Sequence, residues 1–281
     1  MKYCGIADEA GESLELQIRA HKELGWYAIE PRNIGRTCIT DLSDADFDSA
    51  LEQLDAAGQQ IVGFASQIAN WARPVDGDFQ VDIDELQQAI PRMQRCGAKF
   101  IRTMSYPNSK DSPLSEADWG AEVVRRFKQL ATIAADGGVT LVHENCHGWG
   151  SQGPEKAIEF IERVDSPALK LVFDTGNERD RDTPAYFRAV KGHVVHVHIK
   201  AWKHGQEANC FPDEGDCGVE EILSELIADG YDGYLSIEPH MVAVIHLGKS
   251  ADEDPEVAYR LYVEYGRRLE QMVKRLRGRF E

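Results

Sequence analysis

Short apolar runs alternate with longer amphipathic segments eight times along the chain, and this alternation constrains the fold more than any single motif does. Repeated βα units of this kind build a parallel sheet covered by helices. The apolar runs predict strands over 2–6, 26–30, 60–65, 99–104, 139–144, 169–174, 193–199 and 233–238. The segments between them carry apolar residues at helical spacing, as Leu14, Leu16, Ile18 and Leu24 do, and predict helices over 12–24, 44–57, 82–96, 115–136, 154–163, 183–190, 218–229 and 255–277. Gly25, Gly58, Gly97, Gly137 and Gly230 stand where helices stop, and Pro154 opens one. Eight units of roughly 35 residues match the count of an α/β fold of one kind, the single (β/α)8 TIM barrel. The alternative, an open doubly wound sheet, would want Gly-x-Gly-x-x-Gly after its first strand, and that motif is not there.

A length of 281 residues leaves room for two domains on a prior of roughly 150 residues each. No linker or shift in composition divides the chain, however. The Gly-, Pro- and acid-rich stretches near 70–80, 105–114, 145–154 and 203–218 all follow strands, so they read as enlarged βα loops of one domain spanning 1–281.

The charge balance excludes whole classes of partner. With 31 Lys and Arg against 48 Asp and Glu, the net charge is −17. Such a surface repels phosphate backbones and anionic lipid headgroups out to about a Debye length, ~8–10 Å. Nucleic-acid and membrane roles are therefore not expected, whereas a small anionic substrate can still be met by local positive charge. Acids stand near the start where a signal peptide would be apolar, no stretch approaches the ~18 apolar residues of a span, and a cytoplasmic location is expected. The six cysteines form no Cys-x-x-Cys pair and read as free thiols in the core or lining.

A barrel builds its active site at the C-terminal ends of its strands. Four consecutive strands end in metal-capable side chains: Glu144, Asp174, His198 and Glu238. Each is about one βα unit from the next, so the four can converge from adjacent staves. Three carboxylates and an imidazole suit one divalent ion, Mn²⁺, Mg²⁺ or Co²⁺ with Zn²⁺ also admissible, acting as a Lewis acid. His196 shares the face of His198, so either can be the ligand; His198 is nearer the strand end, and His196 is expected to pack inside the barrel or orient a ligand. His143-Glu144-Asn145-Cys146-His147 matches the zinc-protease motif His-Glu-x-x-His, which needs a helix. Here a β-branched run precedes it and a Gly-rich stretch follows, so it straddles a strand end and a loop.

Around this centre, Lys200 and Arg102 are candidates to bind a carboxylate, phosphate or developing enolate, or to pair with acids such as Glu30. Trp71, Trp149 and Trp202 lie in post-strand regions where an indole can cover a sugar face, and Trp149 is the preferred one. His240 and Asn177 are further substrate-binding candidates.

These residues resemble the sugar phosphate isomerase/epimerase group of the xylose-isomerase-like TIM-barrel superfamily. The carriers are Glu144 in LVHEN, Asp174 in LVFDTGN, His198 in HVHIK, Glu238 in LSIEPH, and the run Leu24-Gly25-Trp26-Tyr27-Ala28-Ile29-Glu30. The resemblance implies a divalent metal on those four residues, bridging two oxygens of a ketose or related polyol. It also implies catalysis by Glu144 and Glu238, one removing a proton and the other returning one through a metal-stabilised enediolate. His204 stands where some ketose epimerases of the family place a substrate-binding arginine, so their sugar recognition is not copied directly. A homo-oligomer is what the family suggests. The first expectation is a metal-dependent isomerase or epimerase of a carbohydrate. Its rival is a lyase or dehydratase acting on an inosose or 3-keto-glycoside from the same site. A DNA-repair endonuclease conflicts with the charge, and a non-catalytic binding protein conflicts with the presence of both glutamates.

Overall fold

Parallel strands hydrogen-bond around a ring with its helices outside. The chain is described by a computed structural model over residues 1–206, 208–241 and 255–279. Residue 207 of the expected 203–218 loop, and 242–254 and 280–281 of the expected domain, lie outside the described residues. The staves are β1 (Lys2–Gly5), β2 (Ala28–Ile29), β3 in two short pieces (Gln60–Ile61 and Gly63–Phe64), β4 (Phe100–Ser105), β5 (Thr140–Gly148), β6 (Leu169–Asp174), β7 (Val194–Ile199) and β8 (Tyr234–Ile237). Seven pair in the order β1-β8-β7-β6-β5-β4-β3, with the second piece of β3 against β4. β2 spans the gap between the ends: Ala28–Ile29 pairs with Gln60–Ile61, and the Glu30 amide donates to the Gly5 carbonyl at 3.0 Å. The chain is thus a TIM barrel, and the expected doubly wound alternative does not describe it.

The helices are α1 (Leu14–Leu24), α2 (Asp44–Ala56), α3 (Gln80–Cys96), α4 (Glu116–Asp136), α5 (Pro154–Val164), α6 (Thr183–Val190), α7 (Val219–Ala228) and α8 (Pro255–Arg277). Their starts are set by capping. Ser13, Ser43, Ser115 and Asp182 each accept a hydrogen bond from a first-turn amide, so α1 begins at Leu14, later than the apolar pattern alone predicts. α1 buries Leu14, Gln17, Ala20, His21 and Leu24, the stripe that packs on α8 and the staves.

Two cores result. The large one lies between staves and helices, where Phe127, Phe160 and Phe187 meet Ile101, Leu141, Leu171 and Val197. The small one lies inside the ring and consists of Cys4, Ala28 and Val62 with Tyr234 packed against it. Above that plug the ring interior is polar, and the site is built there.

The main departure from expectation concerns β5. It continues through Gly148, so the expected loop at 145–154 is strand followed by a tight turn at Trp149–Ser151. Asn145 explains the extension. Its Oδ1 accepts from the Asp174 amide (2.7 Å) and its Nδ2 donates to the Asp174 carbonyl (3.0 Å), which splices the ends of β5 and β6. Ser105 does the same on the β4 side, donating to the His147 carbonyl at 3.2 Å and accepting from the Gly150 amide at 2.8 Å. His143 and His147 therefore sit on a strand, which removes the zinc-protease geometry entirely.

Gly148 is the hinge of this extension. Its backbone (φ 100, ψ −171) is open essentially only to glycine, and an added Cβ would lie 2.3 Å from the Ser105 carbonyl carbon. Gly148→Ala is expected to lower unfolding free energy by about 2 kcal/mol or more, measured by denaturant titration. A variant as stable as wild type would show that β5 does not need this close approach.

Candidate metal centre and cleft

Alternation along the staves sends Glu144, Asp174, His198 and Glu238 to the interior at one end of the ring. All four are buried, and their ligand atoms lie within 4.8 Å of one another. Glu144 Oε1 accepts from Asn177 Nδ2 at 3.1 Å and lies 3.4 Å from His198 Nδ1. Asp174 Oδ1 accepts from the Gly176 amide at 2.7 Å. Glu144 Oε2 and Asp174 Oδ2 are buried without a well-directed hydrogen bond. An oxygen-rich set whose ligand atoms lie this close together, with two oxygens lacking a well-directed hydrogen bond, is a donor set that fits a hard divalent ion.

So many carboxylates in a low-dielectric interior must be compensated. Lys200 Nζ is 3.0 Å from Asp174 Oδ2 and 3.3 Å from Glu238 Oε2. Arg102 Nη1 lies 3.4 Å from Glu144 Oε2 and 4.0 Å from Glu238 Oε1. Arg32 donates to Asp8, Glu9 and Glu238 at 3.0, 3.2 and 2.9 Å. Burial pushes the Glu144 carboxyl up, but Arg102 and His198 outweigh it and hold it at about 2. Glu238 is held well below the usual range against burial, chiefly by Lys200 and His240. Asp174 behaves oppositely: burial and the neighbouring Glu238 and Glu144 prevail over Lys200 and raise it to about 6.

Glu30 fixes the histidines. Its Oε2 is 2.8 Å from His196 Nε2 and its Oε1 is 3.1 Å from His198 Nε2. A carboxylate on Nε2 leaves Nδ1 of His198 facing Glu144 and Glu238, the orientation a ligand imidazole requires. Glu30 therefore pairs with the two histidines, and not with Lys200 or Arg102, a pairing that the sequence offered as one alternative. His196 is buried inside the barrel and meets the same Glu30 carboxylate as His198.

The cleft above this centre has a volume of about 430 Å³ and is lined by Arg102, Glu144, Asn177, Lys200, Glu238 and His240 among others. Trp149 is not among them. The expectation for Trp149 is corrected: it is buried, its Nε1 donates to Glu116 at 2.8 Å, and its ring meets Phe160 edge-on. The β5 extension carries it past the mouth into the α4–α5 layer. Trp202 is buried as well, and the indole that lines the cleft is the half-exposed Trp71. His240 Nε2 lies 3.0 Å from Glu9 Oε1 and 3.3 Å from Glu238 Oε1. Against burial, Glu9 and Glu238 raise it to about 9.

Arg32 and Glu9 were missed by sequence reasoning, because neither lies in a strand-end motif and their loops fold inward only when the ring closes. Cys146 was grouped with the other thiols. It stands two residues past Glu144, which on a strand means the same face, and it lines the cleft.

Comparison with known proteins agrees with this architecture. The sequence profile described as Xylose isomerase-like TIM barrel matches residues 18–262. Inosose dehydratase of Lactiplantibacillus plantarum is 27% identical over 46% of this chain and 49% of its own length. L-ribulose-5-phosphate 3-epimerase of Escherichia coli is 29% identical over 56% of this chain and 55% of its own. The chain thus spans about half the length of the curated relatives it matches. The solved structure of an L-ribulose 3-epimerase superposes with a TM-score of 0.75 at 17% identity, covering 99% of this chain and 97% of that one, a likeness of fold.

The two indoles separate experimentally. Trp149→Ala is expected to cost about 3–5 kcal/mol of stability, read by denaturant unfolding. Trp71→Ala is expected to leave stability nearly unchanged while weakening ligand binding in the cleft. The reverse pattern would return Trp149 to the substrate.

Proposed function

The chain belongs to the xylose isomerase-like TIM-barrel family, and we propose that it is a divalent-metal-dependent isomerase or epimerase of a sugar, sugar phosphate or related polyol. The observation that carries this reading is the placement of two glutamates about a shared imidazole and guanidinium. Glu144 and Glu238 both face His198 Nδ1 (3.4 and 3.7 Å) and both face Arg102 Nη1 (3.4 and 4.0 Å). Two carboxylates arranged in this way suit removal of a proton beside a carbonyl and its return.

Glu144, Asp174, His198 and Glu238 would hold the ion, which when bound supplies Lewis-acid polarisation of the substrate carbonyl. The chain's own groups do the rest. Asn177 holds Glu144 Oε1 in place, and Arg32 holds Glu238 Oε1 at 2.9 Å. His240, 3.3 Å from Glu238, is placed to resupply that carboxyl with a proton. Lys200 and Arg102 offset charge developing on the substrate oxygen, and Trp71 shields the mouth from water. The protein is read as one catalytic domain acting on a small carbohydrate in the cytoplasm; among the described residues no helix is long and apolar enough to cross a membrane.

A second reading has its own support. The same base and polarised carbonyl serve β-elimination, and the match to an inosose dehydratase favours it. Product mass decides: isomerisation leaves the substrate mass unchanged, and loss of water assigns the chain to the dehydratases.

Glu144→Gln and Glu238→Gln are each expected to reduce turnover by about 10² or more, whereas Asp174→Asn and His198→Ala are expected to reduce metal content measured on the purified protein. Undiminished metal in a Glu144→Gln/Asp174→Asn double variant would refute the ligand assignment. A proton on Asp174 competes with metal, so occupancy should fall as pH drops through about 6. Titration of bound metal between pH 8 and 5 checks this, and a flat profile would remove Asp174 from the set.

A further inference from the structure

Three of the cations lining the cleft are already matched to carboxylates. Lys200 faces Asp174 and Glu238, Arg102 faces Glu144 and Glu238, and Arg32 binds Asp8, Glu9 and Glu238. Lys200 and Arg102 are buried and face the carboxylates of the centre, where the reacting end of a substrate would lie. Arg179 differs. It lines the same cleft from the β6–α6 loop. Its guanidinium donates to the Gln206 carbonyl (3.2 Å) and Asn209 Oδ1 (2.7 Å), both neutral, and lies beside the Trp202 ring. Among the described residues no carboxylate lies within ion-pair distance of it.

We propose that the cleft takes an anionic polyol, a sugar-like molecule bearing a phosphate or carboxylate, and that Arg179 holds its charged end. This rests on the metal-dependent carbohydrate reading above and narrows its substrate class. A guanidinium presents five donors, and the two carried by neutral partners aim the group without neutralising it. The reach is suitable. Asn177 touches Glu144 at the centre, and Arg179 is two residues further along, up to ~7 Å, comparable to the distance from a reacting carbonyl to the far end of a five-carbon chain. The repulsion of an anion by the net charge of −17 is a property of the outer surface, and a matched centre leaves Arg179 to set the sign at the rim.

The test is isothermal titration of the Mn²⁺-supplied protein with ribulose 5-phosphate, ribulose and quinate, the last a cyclic hydroxy acid. Wild type is expected to bind one of the anionic probes about tenfold or more tighter than ribulose. A preference for ribulose 5-phosphate or for quinate identifies phosphate or carboxylate as the charged group. Arg179→Ala and the milder Arg179→Gln, which retains a donor for Asn209, are expected to lose the preference while ribulose affinity changes less than about twofold. Binding of neither anionic probe in preference to ribulose, or a preference that survives in both variants, overturns the proposal. Failure of the underlying reading looks different: anion preference dependent on Arg179 with no turnover of any probe would leave the subsite standing and remove the reaction. Turnover of ribulose by the wild-type protein with no preference for either anionic probe would do the opposite.

Discussion

The site exists because buried negative charge is compensated at close range. Glu144, Asp174 and Glu238 converge in a water-poor interior where an unmatched carboxylate would cost several kcal/mol. Lys200, Arg102 and Arg32 reach the same point from three different staves or loops. The pairing makes the cluster tolerable, and it keeps those cations buried at the centre. The proposed metal site and the proposed anion subsite at the rim both rest on this distribution.

The barrel supplies the geometry that the charges need. Cys4, Ala28 and Val62 plug the lower interior, so the polar layer above is held at a fixed height. Glu30 then couples two histidines of one stave through its two oxygens. Asn145 and Ser105 splice neighbouring strand ends. Gly176 has a related role: a Cβ there would lie 2.8 Å from the Lys200 carbonyl carbon, so the chain after Asp174 passes close to β7 only without a side chain. Small residues and bidentate side chains thus hold the ligand-bearing backbone where hydrophobic packing is sparse.

Legibility differed from residue to residue. Strand-end spacing brought Glu144, Asp174, His198 and Glu238 to one point, because a closed parallel ring sends every stave's C-terminal end the same way. Trp149 was misplaced because the turn at its backbone depends on how far β5 runs, and that is decided by Asn145 meeting β6. The partners of Glu30 stayed open for a similar reason: sequence names an acid at a strand end but not which cation or imidazole lies across the ring.

By itself, the sequence determined the βα rhythm, the barrel, the family resemblance and the end of the ring at which chemistry concentrates, since these depend on period, spacing and residue type along the chain. Only the tertiary structure decided which charges are matched and which remain to meet a ligand. Arg32 meets Glu238 across 206 residues, while Arg179 meets no carboxylate among the described residues. Electrostatic pairing depends on distance in space, and the alternation of strand and helix carries no record of that distance across the ring.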